Sequence, residues 1–219
     1  MLMKDSRKSI NFSQRRRGWI FQKTTGKHAG EMRAADAKTF VFGETKLRFS
    51  EPVFHGLEDS LLGWILMILV ESRGEKVLFA PDVQGPMVAT TLEMILGERL
   101  DLLIIGGPPL YLVDFRVEEA DIKRGVENLA RIVSKVPEVI LEHHLLRDAG
   151  WLECASPLFD TAERTRHKLM TAAEYAGSPN NLLECRRREL YENEPPSREF
   201  KKWMRLSMDE RGKTKPPIT

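Results

Sequence analysis

Three apolar stretches of this chain each lead into side chains that can bind a metal ion. The first ends at His55, the second at Asp82, and the third at the adjacent pair His143 and His144. Neutral imidazole and carboxylate are the usual nitrogen and oxygen ligands of zinc. Because strand ends present such groups from a rigid scaffold, the pattern predicts one side of a zinc site.

Each candidate ligand also has a simpler interpretation. A single histidine such as His55 is more often a packed or surface residue than a metal ligand. An aspartate that follows a proline, as Asp82 does, is commonly a turn residue or a helix cap. Adjacent residues of a strand point to opposite faces, so only one of His143 and His144 is expected to face a shared site.

The composition describes a globular protein without a strong charge signal. Hydrophobic residues make up 42% of the 219 residues, and the formal net charge is +2. The run Arg15-Arg16-Arg17 is most simply a solvated face, and a phosphate-binding patch for nucleic acid is the weaker alternative. The 2 cysteines allow no disulfide framework and no zinc ribbon, which favours the reducing cytoplasm.

No membrane segment is expected. The apolar stretch from Leu61 to Val70 is far shorter than the roughly 20 residues that a membrane-spanning helix needs. We interpret this stretch as a buried strand. The N-terminal residues contain no apolar signal core.

The pattern of apolar residues predicts an α/β fold with some parallel strand pairing. Two hairpins are predicted, one around Gly43-Glu44 and one that joins strands over 63–71 and 76–80. A helix is predicted from Pro86 to Gly97, a strand over 102–105, a helix over 118–136 and a strand from Val139. Strands that alternate with helices in this way are typical of an α/β layer.

Three regions are expected along the chain. Residues 1–33 form a basic N-terminal segment with a short helix over 9–22, and residues 34–207 form the main domain. Beyond Ser156-Pro157, read as a cap and a first-turn proline, the chain is expected to be helical, most clearly over 182–191 and 198–204. Residues 208–219 are polar and are expected to be a disordered tail.

The order of hairpin, His55, hairpin, Asp82, helix, strand, helix, strand and histidine resembles the second half of the metallo-β-lactamase fold. The sequence from about residue 10 to about residue 205 more closely resembles an uncharacterised, mainly archaeal group of predicted metallo-β-lactamase-fold hydrolases. The stretches that carry this resemblance are Ile10-Asn11-Phe12-Ser13-Gln14-Arg15, Pro52-Val53-Phe54-His55-Gly56, Asp82-Val83-Gln84-Gly85-Pro86, His143-His144-Leu145-Leu146-Arg147-Asp148, Thr171-Ala172-Ala173-Glu174-Tyr175, Asn180-Asn181-Leu182-Leu183-Glu184, Arg186-Arg187 and Glu189-Leu190-Tyr191.

The resemblance implies a fold, a cofactor and a role for each candidate ligand. The fold is an incomplete αββα sandwich, made of its C-terminal half and a helical C-terminus. The cofactor is zinc, with two ions in a complete site. His55 corresponds to the third-motif histidine and Asp82 to the carboxylate that bridges the two metals. His143 or His144 corresponds to the last histidine; we favour His143 because it directly follows the strand.

The chain departs from this pattern because it contains no His-x-His-x-Asp-His run, and its other histidines, His28 and His167, stand alone. Three ligands cannot fill two tetrahedral sites. We therefore expect an N-terminally truncated hydrolase that is inactive as an isolated chain. An upstream reading frame that encodes the missing run would restore the enzyme. The alternative is a non-catalytic binding remnant of the fold.

A half-fold is also expected to need a partner. Either the missing N-terminal half or a second copy of the chain would cover the sheet face that the fold normally buries. The residues expected near that exposed layer are Val77, Phe79, Leu103, Ile105 and Ile140.

Overall fold

A computed structural model describes residues 25–58 and 60–218 of the chain. The chain divides into two units, with the division between Asp36 and Ala37. The helix predicted over 9–22 and the Arg15-Arg16-Arg17 run lie outside the described residues. No helix of the described part is both long enough and apolar enough to cross a membrane.

The second unit is built on a mixed sheet of seven strands, with a separate two-stranded ribbon. The strands are β1 (Thr39–Phe42), β2 (Thr45–Phe49), β3 (Val53–Phe54), β4 (Trp64–Ile65), β5 (Ile68–Ser72), β6 (Glu75–Ala80), β7 (Leu102–Gly106), β8 (Glu138–Glu142) and β9 (Lys168–Thr171). The order in the main sheet is β1-β2-β5-β6-β7-β8-β9, and β3 pairs with β4 in the ribbon. The strands from β1 to β6 pair antiparallel, and those from β6 to β9 pair parallel.

The helices follow the strands of the parallel half and then form the C-terminal region. They are α1 (Ala89–Leu96), α2 (Glu119–Val133), α3 (Trp151–Thr165), α4 (Ala172–Tyr175), α5 (Arg187–Asn193), α6 (Arg198–Met204) and α7 (Met208–Arg211). The predicted α/β class, with a mixed sheet and a helical C-terminus, is confirmed. The segment expected to be a tail contains α7, which begins with a capping box formed by Ser207 and Glu210.

One face of the sheet is buried under the first three helices. Alternate strand residues such as Leu78, Leu103 and Val139 point to this face. They form one core with residues of α1, α2 and α3, including Leu92, Ile95, Leu129, Ile132 and Leu158. Each such leucine or isoleucine contributes about 1.5–3 kcal/mol by its removal from water.

The other face of the sheet is apolar and only partly covered. Val77 pairs with Leu102 and Phe79 pairs with Ile104 across β6 and β7, so all four share this face. Phe79 remains 40% exposed. The prediction was wrong for Leu103 and Ile105, which are fully buried under the helices, because each lies one residue out of phase with this face. Ile140 pairs with Ile104 and shares the partly covered face, but it is itself buried, at 3% exposure.

The segment predicted as one buried strand from Leu61 is divided in two. Leu61 is 99% exposed. Trp64 belongs to β4, where its ring stacks on Phe54 at 4.1 Å between centroids, and β5 begins only at Ile68. The aromatic stack draws β4 away from the main sheet into the ribbon.

Two other predictions were wrong in the helical region. Pro157 lies inside α3, not at the start of a helix. The helix begins earlier because its buried face, which includes Trp151, Ala155 and Leu158, outweighs the cost of an internal proline. Strand β9 was not predicted; parallel pairing with β8 stabilises these four residues as a strand.

Candidate metal centre

Three of the four candidate ligands, Asp82, His143 and His144, lie at the carboxyl ends of parallel strands. Asp82 lies in a short 3-10 turn, Pro81–Val83, that directly follows β6. His143 and His144 directly follow β8. Strand β7 separates β6 from β8 and ends at Gly106. Carboxyl ends of parallel strands are a common place for binding sites in open α/β sheets, because loops from several strands meet there.

Gly106 lets the loops on either side of β7 approach each other. A Cβ atom at this position would lie 1.8 Å from the carbonyl oxygen of Pro81 and 3.2 Å from Cδ2 of His144. Any side chain here would therefore displace the turn that carries Asp82. Gly106 therefore keeps both Asp82 and His144 in their positions, because a side chain here would contact the Pro81–Val83 turn and the His144 ring.

The β3–β4 ribbon positions His55. The backbone N–H of His55 donates to the carbonyl of Gly63 at 3.1 Å, and the Phe54–Trp64 stack fixes the preceding residue. Gly56 follows with φ of +84°, a conformation that favours glycine, and a Cβ there would lie 2.2 Å from Oε1 of Gln84. Gly56 thus allows His55 to turn towards the loop that carries Asp82.

Three imidazole rings face one oxygen of Asp82. The Nε2 atoms of His144, His143 and His55 lie 3.2, 3.4 and 3.7 Å from Oδ1 of Asp82. Within the described residues, His55, Asp82 and His144 are the one group of three or more His, Cys, Asp or Glu whose ligand atoms all lie within 4.8 Å of one another. The structure therefore brings all four candidates to one edge of the sheet.

Strand alternation predicts that only one of the two adjacent histidines faces the shared site, but the Nε2 atoms of both lie within 3.4 Å of Oδ1 of Asp82, and which of them binds a metal stays a prediction. Strand β8 ends at Glu142, and His144 has helical backbone angles, φ −61° and ψ −51°. The alternation of side chains stops where the strand stops, so both rings turn the same way, with centroids 4.1 Å apart. His144 is the more buried of the two, and it is His144, not the favoured His143, that completes the close group.

Two of the histidines have hydrogen-bond partners that orient their rings. Nδ1 of His143 lies 2.5 Å from Oε2 of Glu142, and Nδ1 of His144 lies 3.4 Å from the hydroxyl of Tyr111. The guanidinium of Arg147 donates from Nη1 to the same hydroxyl at 3.0 Å. Such partners at the remote ring nitrogen leave Nε2 free to bind a metal.

Sequence reasoning missed both orienting residues. Glu142 gave one usable signal, since an acidic residue at the end of an apolar strand directly precedes a histidine pair. Tyr111 gave none, because 33 positions separate it from His144 in the chain.

The electrostatics of the site favour the neutral form of the His55 and His144 imidazoles. Burial, together with the neighbouring His143, lowers the pKa of His144 to about 4, although Asp82 opposes the change. Burial also lowers the pKa of His55. The Nε2 atom of His55 is buried and has no hydrogen-bond partner. A neutral imidazole with an unpartnered buried nitrogen fits a metal ion, which accepts the lone pair that no donor uses.

The two remaining histidines do not belong to this group. Nδ1 of His167 lies 2.7 Å from the carbonyl oxygen of Val133, a contact typical of a structural histidine. His28 lies in the first unit of the chain. Cys154 and Cys185 are both free thiols outside the group.

Comparison with known proteins shows a family. No family model matches the chain. A UPF0282 protein of Pyrobaculum neutrophilum is 39% identical over 191 residues, which are 87% of this chain and 61% of the relative. A UPF0282 protein of Aeropyrum pernix is 38% identical over 201 residues, 89% of this chain and 68% of the relative. A UPF0282 protein of Korarchaeum cryptofilum is 31% identical over 204 residues, which are 93% of this chain and 68% of the relative.

Among solved structures, a mutant of the CmlA β-hydroxylase is similar over 62% of this chain and 31% of its own, with a TM-score of 0.36 and 16% identity. The chain spans 61% of the length of the Pyrobaculum neutrophilum relative, so it is shorter than the proteins it matches. At this level of identity and coverage, the chain belongs to the UPF0282 family.

Proposed function

We propose that His55, Asp82 and His144 hold a zinc ion, with His143 beside them. We also propose that this chain is part of a metal-dependent hydrolase of the metallo-β-lactamase superfamily. The observation that carries the proposal is the group itself: three ligand-bearing side chains within 4.8 Å of one another. The buried, unpartnered Nε2 of His55 supports it. The resemblance described from the sequence supplies the superfamily.

The donor set suits a catalytic zinc ion. Two imidazoles and one carboxylate match the His-His-carboxylate sets of hydrolytic zinc sites, which leave the fourth position open. A zinc ion at such a position supplies Lewis-acid activation of water at neutral pH. In this chain, Glu142 and Tyr111 orient His143 and His144, and Asp82 balances the charge of the metal.

A second metal and full activity require more of the protein than this chain. The single wall formed by β6, β8 and the β3–β4 ribbon offers one oxygen, from Asp82, that could be shared between two metals. The chain spans 61% of one relative, so further ligands come, on this proposal, from additional polypeptide that covers the partly exposed sheet face. The isolated chain is then a zinc-binding but inactive half of the enzyme.

The alternative is a non-catalytic module that binds a partner through the same sheet face. The 40% exposure of Phe79 on an apolar face favours this second function. The two proposed functions differ in whether the bound zinc takes part in a reaction. The zinc-loaded chain together with the remaining part of a family member should hydrolyse an ester substrate if the enzyme proposal holds, and should only form a complex if the alternative holds.

Zinc content and affinity test the metal site. The purified chain is freed of metal, reloaded, and titrated against a fluorescent zinc chelator. We expect up to one tightly held zinc per chain, and a loss of roughly 100-fold or more in affinity for His55→Ala and for Asp82→Asn, since each removes one of three ligands.

His167→Gln is the matched control, because it also removes a histidine but lies outside the group. Equal zinc affinity in the Asp82→Asn and wild-type proteins would contradict the proposal. So would a loss in His167→Gln as large as the loss in His55→Ala.

A further inference from the structure

A cavity opens beside the histidine group, on the side of His143. Its volume is about 380 Å³. Its walls include Glu142, His143, Arg147, Asn180, Asn181 and Leu182. We call it the Arg147 cavity. Because His143 belongs to the cavity wall and also lies beside Asp82, the cavity adjoins the candidate metal centre.

Arg147 is a cation in this cavity that is held in place but has no acidic partner. Its Nη1 donates to the hydroxyl of Tyr111, and its guanidinium carbon lies 5.6 Å from the centre of that ring. Its Nε is buried without a hydrogen-bond partner. Among the described residues, no carboxylate lies within ion-pairing distance of Arg147.

The two carboxylates of the cavity wall are already engaged. Glu142 contacts Nδ1 of His143. Glu184 accepts two hydrogen bonds from Arg187, which together form a bidentate pair. Arg147 is therefore the wall residue whose charge and donors stay available to a ligand.

The rest of the cavity fits a small organic anion. Asn180 is held by Thr171 and by Glu174, so its amide is fixed at the rim. Leu182 packs against the core and gives the cavity an apolar side. A cavity with an apolar wall and a few convergent polar groups is typical of a binding site for a small molecule.

We propose that the Arg147 cavity binds an oxyanion group of the substrate, a phosphate or a carboxylate, and that Arg147 is the residue that holds it. Nη1 of Arg147 is occupied by Tyr111 and Nε is buried, so Nη2 is the nitrogen left to donate to such an oxyanion, in a hydrogen bond that the charge of the guanidinium strengthens. This inference rests on the proposed function for the identity of the reaction, and it assigns the class of substrate: a hydrolysable ester that carries a negative charge.

The probes are phenylphosphonate and benzoate, which combine an oxyanion with an apolar ring and separate phosphate-like from carboxylate-like recognition. Benzyl alcohol is the uncharged control. Each is titrated by calorimetry into wild-type, Arg147→Gln, Arg147→Lys and Arg124→Gln proteins, with and without zinc. Arg124 lies on α2 and pairs with Asp121, so its variant removes a cation that belongs to another surface.

We expect at least one of the two anions to bind, and benzyl alcohol to bind more weakly than either. Arg147→Gln should lose roughly 10- to 100-fold in anion affinity, the range for a hydrogen bond to a charged group. Arg147→Lys should retain part of the affinity, because it keeps the charge and loses the planar guanidinium that Tyr111 holds in place. The Nε–H nuclear magnetic resonance signal of Arg147 should shift on addition of the anion.

Equal anion affinity in wild-type and Arg147→Gln proteins would overturn the inference, since the anion then binds elsewhere, for instance to the zinc alone. An unmoved Nε–H signal with intact binding would overturn it as well. Zinc content is measured first in the same preparations. If the wild-type protein takes up no zinc, the proposed function fails, and the titrations of the metal-free protein still decide the role of Arg147.

Discussion

Polar side chains have different contacts at the two ends of the parallel strands. At the amino ends, two polar side chains contact neighbouring backbone groups: Asp101 accepts from the backbone N–H of Lys76, and His167 contacts the carbonyl oxygen of Val133. At the carboxyl ends, Asp82 and His144 instead face each other and His55, which the β3–β4 ribbon brings to the same place. A histidine is therefore a candidate ligand here because of what its ring nitrogens meet, and not because of its residue type.

The largest difference between the ends should appear when a methyl group is added to a glycine at each. Gly106→Ala places a Cβ 1.8 Å from the carbonyl oxygen of Pro81, so the backbone itself must move. We expect a loss of more than about 3 kcal/mol in the free energy of unfolding, comparable to a severe overpacking substitution. Urea denaturation measures the loss, and zinc titration should show weaker binding.

Gly97→Ala is the matched substitution at the amino end, in the loop between α1 and β7. Its Cβ would lie 3.2 Å from the carbonyl oxygen of Glu93, a tight but tolerable contact. We expect a change within about 1 kcal/mol. If both alanine variants unfold at the same urea concentration, the close packing around Gly106 does not contribute more to stability than the packing around Gly97.

The pH dependence of the metal-free protein gives the next largest effect. The pKa of His144 is about 4 in the folded chain and lies near 6.5 in the unfolded chain. Between these values the unfolded state binds more protons, so the stability is complete above pH 6.5 and is lost as the pH falls towards 4. The shift corresponds to about 3 kcal/mol, and the lowered pKa of His55 acts in the same direction.

Denaturation midpoints measured from pH 7.5 to pH 4 test this sign. The His144→Asn variant should show a shallower loss over the same range, because it removes the group that must be protonated. A wild-type protein whose stability rises as the pH falls from 6.5 to 4 would show that His144 is not held neutral.

The orienting carboxylate of the site should matter less than the ligands. Glu142→Gln removes the charge that faces Nδ1 of His143, and we expect zinc affinity to fall by about 10- to 100-fold, as for other outer partners of metal-bound histidines. Glu138→Gln is the control at the start of the same strand, where Glu138 pairs with Lys168. Chelator competition should separate the two variants clearly; identical affinities would remove Glu142 from the site.

The contrast between the two ends also shows what the sequence can and cannot predict. His55 and Asp82 could be predicted from the sequence because each follows an apolar strand, and the end of a strand is a local signal. The common orientation of His143 and His144 could not be predicted, because it depends on the residue at which β8 ends. Tyr111 and the clearance at Gly106 depend on contacts between distant segments, and no local pattern encodes those. The same holds for β9, whose pairing with β8 outweighs its weak intrinsic preference for a strand.

The smallest expected effect belongs to His167, at the amino end of β9. Its Nδ1 lies 2.7 Å from the carbonyl oxygen of Val133, at the end of α2, so His167→Gln should cost about 1 kcal/mol, the net value of one hydrogen bond. Zinc affinity should not change. Urea denaturation and zinc titration of one preparation measure both quantities together. A variant with normal stability and reduced zinc affinity would reverse the comparison, because it would give a histidine at the amino end a role in the metal site.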